Sequence, residues 1–453
     1  GMRSTPLGLL ATLTALSSRA LSLARPLRGA MAAAPGDVPS VTVLLQADKV
    51  RVLLQVEQQK LQLERDAAEP LEKTLRRLGA SLEKKRGKKK GKNRPPIRPK
   101  LVPEQPSSLE NSVAWAGASH LDVGDGVLRP IRINPPRVES ISVSPLFRRI
   151  LRGCEVFAEV EAADAASLRY EWFVQRRGSD DWLPVHEGVT YRPVEGDVGG
   201  HLWLKVTPLG EDAPTPGLCL SHFFVGAVEA APPPFLVGFR EAFLEQLKPA
   251  GAFRILSYNI LADCYTRQPQ VQKKLFSYAV RNRCVDAAYR LNLMLQEISS
   301  YDTDICCFQE VDPWFFNKTM QPLAAIKGYT ASFGAKRNGQ EGCAMLLRSS
   351  RFEEVPELSY DLLHSHLFQG RKDVPFPETR RKVAEQLLPL FVQYPDLLEQ
   401  LTTKITSVSQ LKVVRLRDAE EDALQYLIIA NSHFYYHPLA DHIRLIQMYT
   451  VLE

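Results

Sequence analysis

The apolar and polar positions change periodicity several times along the 453 residues, and each change marks a predicted region. Residues 37–136 predict a small α+β module. Its predicted elements are a hairpin, one short amphipathic helix and a returning strand, at Val41 to Gln46 with Val50 to Val56, at Leu71 to Leu82 and at Gly124 to Ile133. A basic loop at residues 84–100 interrupts this module.

The next region, residues 137–230, has short apolar runs separated by turn residues, which predicts a β-sandwich. The runs are Cys154 to Val160, Leu168 to Gln175, Trp182 to His186, His201 to Thr207 and Cys219 to Val228. Trp172 and Trp203 are predicted in the sandwich core, and stacking of an exposed tryptophan on a base is the alternative. Pro232 to Pro234 mark a linker over residues 231–252.

Three apolar runs within residues 253–453 end in polar side chains, as expected for buried strands that deliver residues to the edge of a sheet. The segments read RILSYNIL, DICCFQEVD and QYLIIANSHFYYHPLADHIRLIQ, from Arg254 to Leu261, Asp304 to Asp312 and Gln425 to Gln447. Their polar ends are Asn259, Glu310, Asn431 and His433. Between the runs, Asn282 to Ser299 has helical spacing and Val355 to Gln410 is predicted as mostly helical.

These residue types suit the cleavage of a phosphodiester. A hard divalent cation held by one or two carboxylates stabilises negative charge at phosphorus, and Glu310 supplies such a carboxylate. The imidazole of His433 can donate to a phosphate oxygen where charge grows in the transition state. Asn259 can orient a water or a phosphate oxygen without adding charge. Taken singly, each of the three also has an ordinary structural explanation.

The motifs S-x-N, Q-E and N-[ST]-H-x-x-x-x-P, at three strand ends and in this order, resemble the endonuclease/exonuclease/phosphatase family. Arg444 to Gln447 resembles its deadenylase branch. The resemblance implies an α+β chain: an N-terminal β-rich module and a β-sandwich, followed by the first part of a four-layer α/β sandwich. It also implies site roles, catalytic for His433 and Asn259, metal-binding for Glu310, and substrate-binding for Asn431, Tyr436 and Gly342. Gly342 has an ordinary β-bulge as its alternative.

The function that the resemblance implies is that of a metal-dependent phosphodiesterase. Its cofactor would be Mg²⁺, with Mn²⁺ as a substitute. The expected activity is 3′–5′ exoribonuclease action on the poly(A) tails of mitochondrial RNA, with degradation of 2′,5′-oligoadenylates. RNA and 2′,5′-oligoadenylates are the expected partners. Both linkages present the same phosphate and adenine, so the residues do not choose between them.

Two other family motifs, G-D-x-N and S-D-H, do not occur in these residues. The first would supply an aspartate that activates water. We therefore expect only about the first half of the catalytic fold here. The expectation extends to a polypeptide ending at Glu453 that is catalytically silent and poorly folded beyond residue 253, because its strands would lack a partner layer.

Two rival functions remain open. A lipid phosphodiesterase or phosphatase could share the fold and the Q-E and N-x-H ends, although the turn at Pro438 and Arg444 to Gln447 argue against it. A non-catalytic RNA-binding or scaffold protein could combine the sandwich with an incomplete nuclease domain.

Composition places the chain among ordinary globular proteins, with 45% hydrophobic and 24% charged residues. No window is long and apolar enough to predict a membrane span, so no membrane partner is expected. The seven cysteines are scattered and form no C-x-x-C pair, which favours a reducing compartment over a disulfide scaffold or structural zinc.

The first 36 residues have the composition of a mitochondrial transit peptide. Four arginines lie among many Ser, Thr, Ala and Leu, and the first acidic residue is Asp37. Three of the arginines, Arg19, Arg25 and Arg28, follow the apolar stretch, whereas a secretory signal would place its charge before it. The leader predicts the mitochondrial matrix.

Ten basic residues and no acidic residue occur between Lys84 and Lys100. Removing these ten charges from the net +6 leaves the rest of the chain at −4. A solvated tether explains the segment at least as well as a sequence-independent contact with RNA phosphates does. A nuclear localisation signal is a third interpretation, and the leader argues against it.

If the basic segment binds RNA, its deletion should weaken binding and flatten the dependence of affinity on salt. Each lost phosphate contact to single-stranded RNA removes about 0.7 from the slope of log affinity against log salt concentration. Fluorescence anisotropy with labelled oligoadenylate measures this slope. A deletion variant with the wild-type slope would identify the segment as a tether.

Overall fold

The computed structural model describes residues 40–56, 59–86, 96–211, 217–232, 252–279, 282–367, 377–417 and 425–453. The predicted leader, the centre of the basic segment and most of the predicted linker lie outside the described residues. In the part of the chain that is described, the helices fall short of the length and apolar character needed to cross a membrane.

The chain divides into two compact units. One consists of the described part of Gly1–Ser140 with Val160–Tyr170 and Lys205–Ser221, and the other of Ile141–Glu159, Glu171–Leu204 and the described part of His222–Glu453. The division runs through the region predicted as a sandwich. The boundaries predicted at residues 136, 230 and 252 therefore stay predictions.

The first unit contains a six-stranded sheet in the order β3-β2-β1-β6-β5-β4. Its elements are β1 (Val41–Leu45), β2 (Lys49–Val56), β3 (Gln59–Asp66), helix α1 (Leu71–Arg86), β4 (Lys100–Val102), helix α2 (Asn111–Ala116), β5 (His120–Asp122) and β6 (Leu128–Ile133). The predicted hairpin is present as β1 and β2. Strand β3 was not predicted because, at the edge of the sheet, it buries only one apolar face, with Leu61 inside.

The region predicted as a sandwich is rich in strands. They are β7 (Arg137–Ser142), β8 (Ile150–Leu151), β9 (Val156–Phe157), β10 (Glu159–Ala163), β11 (Ser167–Gln175), β12 (Trp182–Glu187), β13 (Thr190–Tyr191), β14 (His201–Leu209) and β15 (Leu220–Glu229). Trp172 is fully buried, and its ring stacks on Tyr191 and Phe224 at centroid distances of 5.8 Å. Trp203 is also buried, against Phe173. The prediction that both tryptophans pack in a core is confirmed.

Two four-stranded sheets follow. One has the order β16-β17-β19-β18; in the other, the central strand β22 pairs with β20, β21 and β23. The strands are β16 (Ile255–Asn259), β17 (Ile305–Val311), β18 (Tyr329–Ala335), β19 (Gly342–Arg348), β20 (Phe352–Glu354), β21 (Tyr360–Leu363), β22 (Val408–Leu416) and β23 (Tyr426–Ser432). The class is mixed α+β, as predicted.

The helices of the second unit join and cover these strands. They are α3 (Asp263–Thr266), α4 (Pro269–Leu275), α5 (Ala287–Ser300), α6 (Pro313–Phe315), α7 (Gln321–Ile326), α8 (His364–Leu367), α9 (Pro377–Gln393), α10 (Pro395–Thr403) and α11 (Asp441–Leu452), with a π-turn at Phe316–Met320 and 3₁₀ turns at Pro145–Arg148, Glu195–Asp197, Asn282–Val285 and Pro356–Leu358. The helix predicted over Asn282 to Ser299 forms as a 3₁₀ turn followed by α5.

The two C-terminal sheets pack face to face. Their shared core contains Ile305, Cys307, Met345 and Leu347 from one sheet and Phe352, Val414 and Ile429 from the other. The expectation that these strands lack a partner layer is therefore wrong. It failed because β22 begins inside the segment from Val355 to Gln410, which was predicted as mostly helical and also contains β21.

The cysteines are free thiols, and four of them are buried. Burial raises the pKa of the Cys307 and Cys343 thiols to about 12 and that of Cys306 to about 11. The three lie on the central strands β17 and β19.

His364 is buried at the start of α8. Its Nε2 is 2.7 Å from Ser409 Oγ, and its Nδ1 is 3.3 Å from Thr450 Oγ1. Burial lowers its pKa from 6.5 to about 4 because desolvation penalises the charged imidazolium. The unfolded chain therefore takes up this proton at a higher pH than the folded protein.

We expect His364 to make folding stability fall as the pH drops from about 6.5 towards 4. Its contribution is fully present above pH 6.5, and the loss at low pH is roughly 3 kcal/mol at 1.36 kcal/mol per pKa unit. Urea unfolding of wild type and His364→Gln at several pH values measures this difference. The glutamine variant should show the smaller decline, and equal declines would contradict the assignment.

Candidate active site

A β-bulge sets the position of Glu310. In the pairing of β17 with β19, Phe308 lies opposite Ala344 and Val311 opposite Gly342, so Gln309 and Glu310 together face one residue. Glu310 has a left-handed backbone with φ of +57°. A non-glycine residue in this region is strained by roughly 1–3 kcal/mol. The bulge re-aims the Glu310 side chain at the end of the strand.

Asn259 ends the neighbouring parallel strand β16, where it pairs with Gln309. Its Nδ2 donates to Glu310 Oε1 at 2.7 Å, and its Oδ1 accepts the Leu261 amide at 3.0 Å. The Ala262 amide donates to Glu310 Oε2 at 3.3 Å. The chain after β16 is thus held against the Glu310 carboxylate.

His433 follows β23 and completes the group. Its Nε2 lies 3.9 Å from Glu310 Oε1. Burial lowers the pKa of His433; the charge of Lys336 also lowers it, and Glu310 acts in the opposite direction. The imidazole is therefore neutral near pH 7 and can either donate or accept a proton at its ring nitrogens. Two sheets and three strand ends thus bring Asn259, Glu310 and His433 together, as the motifs predicted.

The predicted substrate-binding residues lie in three different settings. Asn431 is buried; its Nδ2 donates to the carbonyls of Phe308 at 3.1 Å and Ala344 at 2.9 Å. Its Oδ1 accepts from Gln309 Nε2 at 2.8 Å. The structure places this amide in the contact between the sheets and not with the Glu310 group. The Asn431 side chain is buried between the sheets, so its polar atoms must find their hydrogen-bond partners in that core.

Gly342 is explained by packing of the strands. A Cβ atom at this position would lie 2.2 Å from the Gly334 carbonyl oxygen of the adjacent strand β18. Glycine is required at position 342 because the backbone of β18, and not a substrate, approaches it closely.

Tyr436, in contrast, is 80% exposed, and its ring lies 5.3 Å from that of Tyr435. Its side chain is available to a ligand.

Arg444 of the predicted RLIQ segment supports the turn after His433. Its guanidinium donates to the carbonyls of Tyr435 at 3.1 Å, His437 at 2.6 Å and Pro438 at 3.3 Å. Gln447 from the same segment accepts the Tyr435 amide at 2.9 Å. The segment therefore shapes the loop that carries Tyr436.

Three acidic and basic residues near the group were not predicted. Asp312 caps the start of α3 by accepting the amides of Asp263 at 2.6 Å and Cys264 at 3.2 Å, and burial raises its pKa. Glu341 is fully buried and forms an ion pair with Lys336. Burial raises the pKa of Glu341, while the Lys336 ammonium opposes that change. A charged residue next to a glycine and a buried strand, as in EGCAMLL, was the available signal.

The donor set suits a hard cation held by few protein ligands. The described residues contain no group of three or more His, Cys, Asp and Glu side chains arranged around a metal. Mg²⁺, however, keeps several waters and is commonly bound by one or two carboxylates. The carboxylate of Glu310, with the Asn259 amide beside it, meets that requirement.

The region that holds these residues is similar to known proteins. Residues 256–444 match the model described as the Endonuclease/Exonuclease/phosphatase family. The match covers less than half of the chain. It contains Asn259, Glu310 and His433.

The similar proteins include 2′,5′-phosphodiesterase 12 of Homo sapiens, 27% identical over 370 residues, which cover 76% of this chain and 56% of that protein. Carbon catabolite repressor protein 4 homolog 2 of Arabidopsis thaliana is 30% identical over 147 residues, 31% of this chain and 23% of that protein. A crystal structure of ANGEL2, a 2′,3′-cyclic phosphatase, aligns at 19% identity and a TM-score of 0.32, covering 44% of this chain and 46% of that one. The chain spans about half the length of the 2′,5′-phosphodiesterase 12 sequences it matches.

The bulge predicts an unusual order of stability at position 310. Both Glu310→Ala and Glu310→Gly remove the carboxylate, but only glycine relieves the left-handed backbone. We expect the glycine variant to be more stable than the alanine variant by about 1 kcal/mol. Chemical unfolding of the two variants measures the difference.

Gln309, without a positive φ, is the matched control. Glycine there should be less stable than alanine by about 0.5–1 kcal/mol, the usual cost within a strand. The same sign at both positions would contradict backbone strain at Glu310.

Proposed function

We propose that the catalytic domain hydrolyses phosphodiesters of RNA as a Mg²⁺-dependent 3′–5′ exoribonuclease. The observation that carries the proposal is the convergence of Asn259, Glu310 and His433 at the ends of strands from two facing sheets. The names of two similar proteins, the 2′,5′-phosphodiesterase 12 of Homo sapiens and the CCR4-Not complex 3′-5′-exoribonuclease subunit Ccr4 of Schizosaccharomyces pombe, support the same reaction class. Enzymes of this family generally use divalent metals.

Glu310 would hold the metal ion, which when bound supplies positive charge to the scissile phosphate. Asn259 positions the Glu310 carboxylate through its 2.7 Å hydrogen bond and offers its amide to a phosphate oxygen or a water. His433, on the other side of Glu310 Oε1, donates a ring N–H to a non-bridging oxygen. That hydrogen bond strengthens as negative charge grows in the transition state.

Poly(A) and 2′,5′-oligoadenylates are the proposed substrates. Tyr436, three residues after His433, supports a nucleic-acid substrate, because its exposed ring offers a stacking surface for a base. Stacking of this kind is worth about 1–3 kcal/mol per base. The same phosphate and adenine occur in both linkages, so the proposal includes both. The arginine-rich leader supports action in the mitochondrial matrix.

In a version extended to supply the G-D-x-N and S-D-H motifs, we expect His433→Ala to lower kcat by roughly two orders of magnitude with a modest change in KM, as for loss of an oxyanion donor. Glu310→Ala should abolish the response of cleavage to Mg²⁺. Cleavage of oligoadenylate is followed by chromatography across a Mg²⁺ titration. His442→Ala, an exposed histidine on α11, is the matched control and should cleave like wild type.

Two results would contradict these assignments. An effect of His433→Ala on KM alone would assign the residue to binding, and near-normal turnover by Glu310→Ala would remove it as the metal ligand. Silence of the unmodified chain would instead support the expectation drawn from the absent G-D-x-N and S-D-H motifs.

A further inference from the structure

A buried ion pair lies at the tip of the hairpin between β18 and β19. Lys336 Nζ contacts Glu341 Oε1, and the same oxygen accepts the Tyr265 hydroxyl at 3.1 Å. Glu341 Oε2 is buried and has no hydrogen-bond partner among the described residues. The Lys336 side chain is 12% exposed, whereas that of Glu341 is 1% exposed.

This arrangement costs stability and therefore calls for an explanation. Removing a carboxylate and an ammonium from water is expensive, and a buried pair often stabilises no better than apolar residues of similar size. The orphaned oxygen of Glu341 adds to that cost. Charged groups with perturbed pKa values are concentrated at functional sites, although structural pairs also occur.

The hairpin lies beside the Asn259, Glu310 and His433 group. Glu341 directly precedes Gly342, which pairs with Val311, the residue after Glu310. Tyr265 follows the segment whose Ala262 amide donates to Glu310. The ammonium of Lys336 is close enough to His433 to lower the pKa of its imidazole, and the charge of Glu310 acts on Glu341.

We infer that Lys336, oriented by Glu341 and Tyr265, binds a non-bridging phosphate oxygen of the oligonucleotide held at Asn259, Glu310 and His433. An ammonium has three N–H donors, and one carboxylate oxygen takes only one of them, so donors remain for a phosphate. This inference rests on the proposed function. Glu341 and Tyr265 are positioning residues, because they act through the lysine.

The alternative is a purely structural pair that holds the hairpin. The two roles separate in a double variant, Lys336→Met with Glu341→Gln, which replaces both charges with neutral side chains of similar size. A structural pair replaced in this way can be nearly neutral for stability. If Lys336 binds phosphate, in contrast, the double variant still lacks that contact and binds the oligonucleotide weakly.

The test measures binding of fluorescein-labelled pentaadenylate to the full chain in EDTA, by anisotropy between 50 and 200 mM KCl. Wild type, Lys336→Met, Lys336→Arg and the double variant are compared, and thermal unfolding of each is recorded. We expect Lys336→Met to bind roughly tenfold more weakly, with a salt slope smaller by about 0.7. Lys336→Arg should keep the slope. The double variant should recover the unfolding temperature lost in Lys336→Met but not the binding.

Lys327→Met is the matched control, because Lys327 pairs with Glu155 at 2.5 Å on another part of the second unit. It removes one positive charge and one ion pair and should leave the slope unchanged. A wild-type slope in Lys336→Met or in the double variant would overturn the inference. If wild type itself fails to bind pentaadenylate, the proposed RNA substrate is wrong; a failure of this inference alone leaves wild-type binding intact.

Discussion

The geometry of the site depends on the buried amide of Asn431. This one side chain donates to carbonyls of β17 and β19 and accepts from Gln309, so it joins the sheet that carries His433 to the sheet that carries Glu310. Leaving buried polar atoms of this kind without partners costs about 1–3 kcal/mol, which disfavours other alignments of the two layers. The separation of His433 from Glu310 is thus set by a residue that need not touch substrate.

Charge near the site is divided between chemistry and support. The second unit has three carboxylates at or next to the site, those of Glu310, Asp312 and Glu341. Each accepts hydrogen bonds from a different set of donors. Asp312 is occupied by two backbone amides at the start of a helix, and Glu341 by an ammonium and a phenol. Glu310 is held by an amide side chain and one backbone amide, neither of them charged. It is therefore the carboxylate best suited to a cation from solution.

The sequence predicted those features of the fold and the site that depend on neighbouring residues, and it missed those that depend on contacts formed only in the folded chain. Strand ends at Asn259, Glu310 and His433 were predictable because an apolar run and a polar residue after it are local signals. The pair of Lys336 with Glu341 was not, because a turn brings those side chains together only once the hairpin forms. The role of Asn431 could not be distinguished either, since the carbonyls that it binds, on Phe308 and Ala344, lie more than 80 residues away in the sequence. Strand β22 was not predicted, because the periodicity of a short apolar run next to helical segments fits a strand and a helix equally well.

The thiols on the central strands β17 and β19 have a consequence for experiment. Cys306, Cys307 and Cys343 are buried, with pKa values near 11 to 12, so in the folded protein they present almost no thiolate to an alkylating reagent. Once the two sheets separate, the thiols of Cys307 and Cys343, which face the second sheet, regain ordinary reactivity. The rate at which these positions take up a mass label therefore reports how often the core opens. The native thiols therefore allow the opening rate of the two-sheet core to be measured without introducing a label site.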